Sequence, residues 1–592
     1  MTQLEALPLD RTTAQLTVRA VLTGMLLGGL LSLCNIYSGL KIGWSSNMSV
    51  TAALLAFALW RGLEAGGKSS KPFTILENNI NQTAASSAAS VSSAGLVAAV
   101  PALTLITGRE LAWPLLALWV FSVCCVGISV ASGLRRQMLI VDRLPFPGGI
   151  ASAETLKEIY AEGKEAAARI TVLAGAGLLA AAVKVIEHAA KLRVWPIPGS
   201  YAGKGGAVTF GNLTFALEPS LLMIGVGGLI GLRAGISMLF GALIAYGVLA
   251  PMTLDAGWVP RGAPDALWFG ALNKWLLWPG VAMMVTASLT SFAFSWRSIG
   301  AAFKRVEGGA AEAASEDDGA VPTRWFLLGV GLAMVLSVAL QSTLFGIVAW
   351  VAALGVAFSG LFAVVAARVS GETNVTPVGA MGKITQLLFG VLSPGQAVPN
   401  LMAANVTGGA ASQCADLMHD LKTGWLLGAM ARYQLVAQYC GAAAGSCVGS
   451  AAYLILIPDP ARQLLTPEWP APAVATWKAV AEIFAKGISA MPEGTPTAAI
   501  VGGLAGILLA VSEKLLSAKV KPYLPSASAM GLAFVIPAHS SIYMFLGAVL
   551  AAILTRRVPS WSARFLVVAA SGIIAGEGLA GVGVAIKSML GG

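Results

Sequence analysis

Charge is scarce in this sequence. Of 592 residues only 28 are acidic and 38 basic, so 11% are charged, against about 25% in an ordinary globular chain. That is too little to cover a soluble protein of this length, which excludes a string of soluble domains. Histidine is scarcer still: His188, His419 and His539 stand far apart and argue against a histidine-rich metal site. The six cysteines (Cys34, Cys124, Cys125, Cys414, Cys440 and Cys447) fall in apolar stretches without a CxxC. They read as small core residues, neither a zinc site nor a disulfide framework. HExxH, GxSxG and a P-loop are missing, which removes metallohydrolase, serine-hydrolase and ATP-driven pump chemistry. No enzyme activity, metal or cofactor is expected.

What is abundant is apolar. Hydrophobic residues make up 56% of the chain, and mean hydropathy is +0.77. That is enough for up to about 16 membrane spans at roughly 20 residues each. Eight apolar runs lie between 18 and 294 and eight between 325 and 590. The first is too long and too glycine-rich for a cleaved signal and reads as the first span. The predicted fold is an all-α polytopic membrane protein of about 16 transmembrane segments, in two pseudo-repeated halves with helices broken near the midplane. The charged stretch Trp296 to Arg324 has an acidic, small-residue core from Glu307 to Gly319. It reads as a cytoplasmic linker (296–324) between an N-terminal transmembrane half (1–295) and a C-terminal one (325–592).

On a soluble chain a net charge of +10 would point to nucleic acid. Here the basic residues sit in short loops, so they report orientation and no nucleic-acid partner is expected. Placing loops 61–71 and 135–169 and the linker in the cytoplasm puts the amino terminus there too. Residues 188–216 and 458–495 then lie outside. Residues 526–555 cross once or, split at Pro537, form a re-entrant pair; Arg556 and Arg557 do not fit a single crossing. Glycine pairs recur at four-residue spacing: Gly24 and Gly28; Gly227, Gly231 and Gly235; Gly502 and Gly506; Gly572 and Gly576. Such faces let helix backbones touch, within one chain or across a homodimer. A GxGxxA at Gly175 and Gly177 lies inside an apolar span and is no nucleotide fingerprint.

The chemistry sits where polar residues interrupt apolar runs. The first span ends in Asn35-Ile36-Tyr37-Ser38-Gly39-Leu40-Lys41. Then Glu77 is followed by Asn78, Gln82, Ser86 and Ser90, spaced by four and so on one helical face. After the linker, Glu372, Asn374 and Pro377 precede Lys383 and Gln386. Asn405, Gly409, Ser412, Asp416 and His419 again share a face. Aligned by eye, Asn35 and Gly43 meet Asn374 and Gly382, which predicts a broken helix in each half. A break frees N–H groups that hold a carboxylate and carbonyls that hold cations. Glu77 and Glu372 beside the breaks, with Lys41 and Lys383 nearby, would supply both signs for a zwitterion and a proton carrier. The plainer reading makes these carboxylates interfacial or paired with structural lysines, and Asp416, His419, Asp420 and Lys422 a helix end. Glu577, inside the last apolar run, is functional or paired. His539 reads first as a satisfied polar residue. The predicted substrate and ion pathway is Asn35, Tyr37, Lys41, Glu77, Asn78, Gln82, Ser86, Glu372, Asn374, Lys383, Gln386, Asn405, Ser412 and Asp416.

Six segments together resemble the oligopeptide transporter family, whose other branch is the yellow-stripe-like metal-chelate transporters. They are NIYSGLKIGWS (35–45), ENNINQTAASSAAS (77–90), LPFPGGIASAET (144–155), GETNVTPVGAMGKITQL (371–387), NLMAANVTGGAASQCADLMHDLKTGWLLGA (400–429) and SGIIAGEGLAGVGVAI (571–586). GETNVTP and MHDLKTG are most similar to the prokaryotic branch. The resemblance implies a proton-coupled importer in the cytoplasmic membrane, taking short peptides or, alternatively, peptide-like metal chelates. A channel is disfavoured because the polar stripes differ between the halves and lie in one chain.

Overall fold

The computed structural model describes residues 7–294 and 321–590, apart from 44, 46, 70, 162, 193, 375, 488–490 and 518. The linker through residue 320 thus lies outside the described residues. Twelve helices among the described residues are long and apolar enough to cross a membrane. Their outer faces carry bare aliphatics: Leu178 is 71% exposed and Leu332 69%. Such faces match hydrocarbon and fail in water. The chain is an all-α polytopic membrane protein. Fewer than sixteen helices qualify because several polar or short ones complete the bundle. Ala397–Leu427 has 31 residues but is too polar, and Ser49–Ala65 has only 17. Outside the helices, two short antiparallel strand pairs lie in 195–217, one of them Ser200–Gly203 with Gly206–Thr209.

The most polar helices are the most buried. In Ile75–Ala89, Asn78, Asn79, Asn81, Gln82, Thr83 and Ser87 are fully buried. Ala397–Leu427 buries Asn400, Asn405, Thr407, Gln413 and Asp420. Lipid would satisfy none of these groups, so the apolar helices form a shell around them. The two polar helices run antiparallel, with Gln413 beside Ser87 and Asn405 beside Ala94. Stretches from either side of the linker interleave: Gly163–Ala189 lies along Pro559–Leu590, and Phe269–Ala293 along Thr495–Leu515.

The spaced glycines do bring backbones together, within the chain. A Cβ on Gly24 would lie 2.6 Å from Asn81 O, and one on Gly28 2.6 Å from Ala85 Cα. Gly572 and Gly576 press on Leu173 and Gly177, and Gly502 and Gly506 on Pro279 and Met283. Gly231 differs. With φ +82 and open space around it, it turns the chain between Leu222–Ile230 and Leu232–Ala242.

The predicted break at Asn35–Gly39 is not there. Val18–Ile42 is continuous and ends at Gly43, φ +69. Asn35 sits inside it, donating from Nδ2 to Ala89 O at 3.0 Å, so its polarity serves a neighbouring helix and leaves its own intact. The alignment of Asn35 with Asn374 therefore fails, since Asn374 (φ 61) is the left-handed cap that ends Ala349–Thr373. The second helix does break, between Thr373 and Val378, and Val378–Leu392 follows. A break the sequence did not announce lies at 90–98. There Ser90–Ala94 is a 3-10 turn, Gly95 has φ +118, and Ala99–Thr107 resumes the helix.

Pro537 splits 526–555 into Ala527–Ala533 and Ala538–Arg557. The first rises along Leu232–Leu249, from Ser526 N on Ser237 Oγ (2.8 Å) to Ile536 O on the Tyr246 hydroxyl (2.9 Å). The second returns to the level of Gly235, beside Ala548. The two segments thus run antiparallel, which brings Arg556 and Arg557 back toward the level at which Ser526 starts.

Candidate functional site

Glu77 and Glu372 lie in arginine ion pairs at helix ends, away from the lysines. Glu77 forms a capping box with Thr74 and starts its helix. It also accepts from Thr17 Oγ1 (2.7 Å), Arg19 Nε (2.7 Å) and Arg19 Nη2 (2.6 Å). The guanidinium lies over Trp60 and Phe73, 5.1 and 5.5 Å from their ring centres. Lys41 is 22 residues further along the same helix as Arg19, a rise of about 33 Å, so Glu77 and Lys41 share no cavity. Glu372 pairs with Arg368 at 3.2 Å, and Arg368 holds Asp142 at 2.6 Å. Beside them Gly148 N donates to Asn374 Oδ1 (2.9 Å) and Phe146 N to Gly371 O (2.9 Å). Asn374 thus pins the 144–149 turn.

The break at 90–98 is closed by a side chain. The amide of Asn405, oriented to satisfy its neighbours, donates to Ala94 O (3.2 Å) and accepts from Trp119 Nε1 (3.0 Å). It replaces the partner that the interrupted helix cannot provide. Nearby, Gln386 Nε2 bonds Asn400 Oδ1 (3.3 Å) and Trp477 O (3.2 Å), and Asn400 Nδ2 returns a bond to Gln386 O.

Two lysines are the unusual feature. Lys41 and Lys383 are 8% and 4% exposed, and neither forms an ion pair among the described residues. The Lys41 ammonium is 5.2 Å from the Trp469 ring centre and 5.9 Å from that of Tyr37. The Lys383 ammonium is 4.6 Å from Trp477 and donates to Gln386 Oε1 at 3.3 Å. Both tryptophans come from one stretch of chain, tied to the first helix by Ala471 N donating to Leu40 O at 2.9 Å. Lys383 borders a cavity of about 260 Å³ with Gly43, Ser288, Thr476 and Ser528. Lys41 borders one of about 370 Å³ with Lys184, Glu187, Gln463 and Glu468. A buried ammonium on an aromatic wall, with no acid paired to it among the described residues, can receive a carboxylate. In the second cavity Glu187 pairs with Lys184 at 2.9 Å, which leaves Glu468 as the acid that could meet an amine.

A third polar centre lies between the two buried polar helices. Gln82 and Ser86 face the Asp420 carboxylate, and Ser49 Oγ donates to its Oδ1 at 3.3 Å. Asp416, one turn earlier, faces Ser90 and Ser412. Asn78 points elsewhere, donating to Ala53 O at 3.0 Å. Eight of the predicted residues thus fall into three groups: Gln82, Ser86, Ser412 and Asp416 around Asp420; Lys383 and Gln386 around Trp477; Tyr37 and Lys41 around Trp469. Asn35, Glu77, Asn78, Glu372, Asn374 and Asn405 lie outside them. Asp420, Glu468, Trp469 and Trp477 were not predicted. The tryptophans sit in a stretch that its prolines disguise as a surface loop, and Asp420 was read as part of a helix end.

Two other acids are explained locally. Glu577 is paired: it accepts from Ser220 Oγ (2.6 Å) and the Leu221 and Leu222 amides (both 2.8 Å), capping Leu222–Ile230. Glu218, in the loop before that helix, lies 3.4 Å from His539 Nε2. Burial alone would push its carboxyl up. The hydrogen bond and charge of His539, with Lys41 and Lys184 beyond, hold it down at about 2.

The sequence model of the family described as OPT oligopeptide transporter protein matches residues 15–587. A Saccharomyces cerevisiae protein named as a candidate oligopeptide transporter is 25% identical, over 76% of this chain and 79% of its own length. The iron-phytosiderophore transporter yellow stripe 1 of Zea mays is 24% identical, over 95% of this chain and 89% of its own. A metal-nicotianamine transporter of Arabidopsis thaliana is 24% identical, over 95% and 92%. With the match running from the first membrane helix to the last, the chain belongs to the oligopeptide transporter family and is a multi-pass membrane transporter.

Proposed function

We propose that the protein is a secondary active, proton-coupled importer of short oligopeptides across the cytoplasmic membrane. The observation that carries this reading is the pair of buried lysines, Lys41 and Lys383, each on a tryptophan and neither in an ion pair among the described residues. A peptide carboxylate docking on either ammonium supplies a counter-charge, and Glu468 beside Lys41 suits the peptide amine. The breaks at 90–98 and 373–378 give alternating access its flexible points, with Asn405 holding the first. The basic loops 61–71 and 135–169 support a cytoplasmic amino terminus.

A second reading, import of metal chelates, is favoured by relatives named metal-nicotianamine transporters that match 95% of the chain. Such chelates also present amines and carboxylates. The test is uptake by proteoliposomes of mixed tri- to pentapeptides, and separately of iron held by small amino-carboxylates, with and without an inward proton gradient. Mass spectrometry reads the lumen. Gradient-driven peptide accumulation supports the first reading, and chelate accumulation alone the second. Uptake of neither by folded protein rejects both.

A further inference from the structure

Asp420 is 1% exposed and lies between the two central polar helices, among described residues that give it no cationic partner. Every element packed on it contributes a neutral group. Ser49 comes from Ser49–Ala65, Gln82 and Ser86 from Ile75–Ala89, and Gln434, which donates to the Asp420 carbonyl at 2.7 Å, from Ala431–Leu456. The titratable groups nearby on its own helix do not neutralise it. Asp416 is a second acid, the His419 ring is held by Ser370 Oγ (3.0 Å) and Gly149 N (3.3 Å), and the Lys422 ammonium sits 4.3 Å from the Trp425 ring centre.

The hydrogen bonding around it is incomplete in one sense only. Asp420 Oδ2 has no donor, and neither do Gln82 Oε1 and Ser86 Oγ, which belong to side chains at most 1% exposed. Gln82 uses its Nε2 elsewhere, on Asn79 Oδ1 and Thr83 Oγ1. The Ser86 hydroxyl can turn its hydrogen toward Asp420, but the Asp420 carboxylate and Gln82 Oε1 still bring oxygen lone pairs together in a buried site, which is unfavourable unless a positive charge sits between them. All the donor atoms are oxygens, with no sulfur or imidazole turned inward, which suits a small hard cation.

We infer that the oxygens of Asp420, Ser49, Ser86 and Gln82 form the binding site of the coupling cation, a proton or Na⁺, with Asp416 as the adjoining acid on its path. The inference rests on the transport reading and moves the coupling carboxylate from Glu77 or Glu372 to Asp420. The site touches both polar helices and Ser49–Ala65, so filling it ties together elements that flank the break at 90–98. With the site unfilled, the Asp420 carboxylate on one polar helix faces Gln82 Oε1 on the other with no charge between them, which weakens that contact and makes occupancy a condition for one conformation.

The test has two arms. In the first, which needs no organic substrate, purified protein in detergent is melted while choline chloride is exchanged for sodium chloride, and separately while the medium is acidified from neutral. A melting temperature that rises with Na⁺ in the wild type, and not in Asp420→Asn, identifies Na⁺. A rise on mild acidification that is lost in the variant identifies the proton. The same response in both proteins overturns the site. If Asp420→Asn does not fold, Ser86→Ala must show a weakened response, and an unchanged one overturns the site. In the second arm, proteoliposomes take up trialanine or the ferric amino-carboxylate probe. Asp420→Asn must keep counterflow exchange and lose gradient-driven accumulation by about tenfold or more; retained accumulation overturns the coupling role. A wild type that moves neither probe rejects the transport reading and leaves the cation site to be decided by the first arm.

Discussion

Replacing Glu77 by glutamine separates a structural carboxylate from a coupling one. The carboxylate accepts four hydrogen bonds, from Thr17 Oγ1, Arg19 Nε, Arg19 Nη2 and Thr74 N, at 2.6 to 3.1 Å. A glutamine amide keeps one oxygen for Thr17 and Arg19 Nε, and turns an NH₂ toward two donors. Breaking a buried ion pair costs about 3–5 kcal/mol. Arg19 keeps 25% of its side chain exposed and can rehydrate, so the cost falls at or below the lower end: about 3 kcal/mol for Glu77→Ala, and about 2 kcal/mol for Glu77→Gln, whose oxygen still accepts from Thr17 and Arg19. An apolar pair, Arg19→Met with Glu77→Leu, should recover much of the loss, because a buried ion pair is dispensable when both charges leave together. Thermal unfolding of purified protein reads the stability, and gradient-driven uptake per folded molecule reads the function. The expected result is a lowered melting temperature with uptake intact. An unchanged melting temperature with coupling abolished would refute the reasoning and return the coupling role to Glu77.

Lys383→Met should raise the half-saturation of the transported substrate about thirtyfold, from the loss of about 2 kcal/mol of charge pairing, while the melting temperature holds or rises because an unpaired buried charge has gone; unaltered half-saturation in uptake assays rejects Lys383 as a carboxylate anchor. Gly576→Leu should give little monodisperse protein in fluorescence-detected size exclusion, because a side chain there meets the backbone of Gly177; a normal profile would show that the contact yields. Glu218, held at about 2 from an ordinary 4.5, adds stability that is present above pH 4.5 and lost as the pH falls through 2, so wild type should lose melting temperature more steeply than Glu218→Gln over that window; parallel curves reject the His539 pairing. Lys68→Cys and Lys204→Cys in a cysteine-free background should be labelled from opposite sides of the membrane in vesicles; labelling from one side overturns the proposed orientation.

Composition alone made the membrane class legible, because 11% charge leaves no other solvent for so long a chain. The glycine spacing was legible for the same kind of reason: a side chain at Gly24 or Gly28 would strike the neighbouring helix. Helix breaks were harder. Asn374, before Val375-Thr376-Pro377, has the local chemistry of a stop. Asn35 has the same polarity but its partner is a distant carbonyl, Ala89 O, which no local pattern reveals. The break at 90–98 lies in a run of serine, alanine and valine with a single glycine, and depends on Asn405, far along the chain, to be tolerable. Acidic residues mislead in the same way. Glu77 and Asp420 look alike in sequence, yet one meets Arg19 and the other meets neutral groups and a second acid, Asp416.

The antiparallel pairing of the two polar helices also bears on how the chain enters the membrane. Left to itself, a segment such as Glu77-Asn78-Asn79-Ile80-Asn81-Gln82 has no reason to leave the translocation channel for lipid, since each charged or strongly polar residue at mid-bilayer disfavours that step by about 2.5–3.5 kcal/mol for the charged ones. Its partner in Ala397–Leu427 is synthesised only after the linker. Insertion one hairpin at a time would therefore leave these polar groups without their partner. The early polar helix must be sheltered, by the channel or by an insertion chaperone, until ribosomal output has delivered the late one, and a ribosome stalled within the linker should leave the amino-terminal segments open to quality-control proteolysis.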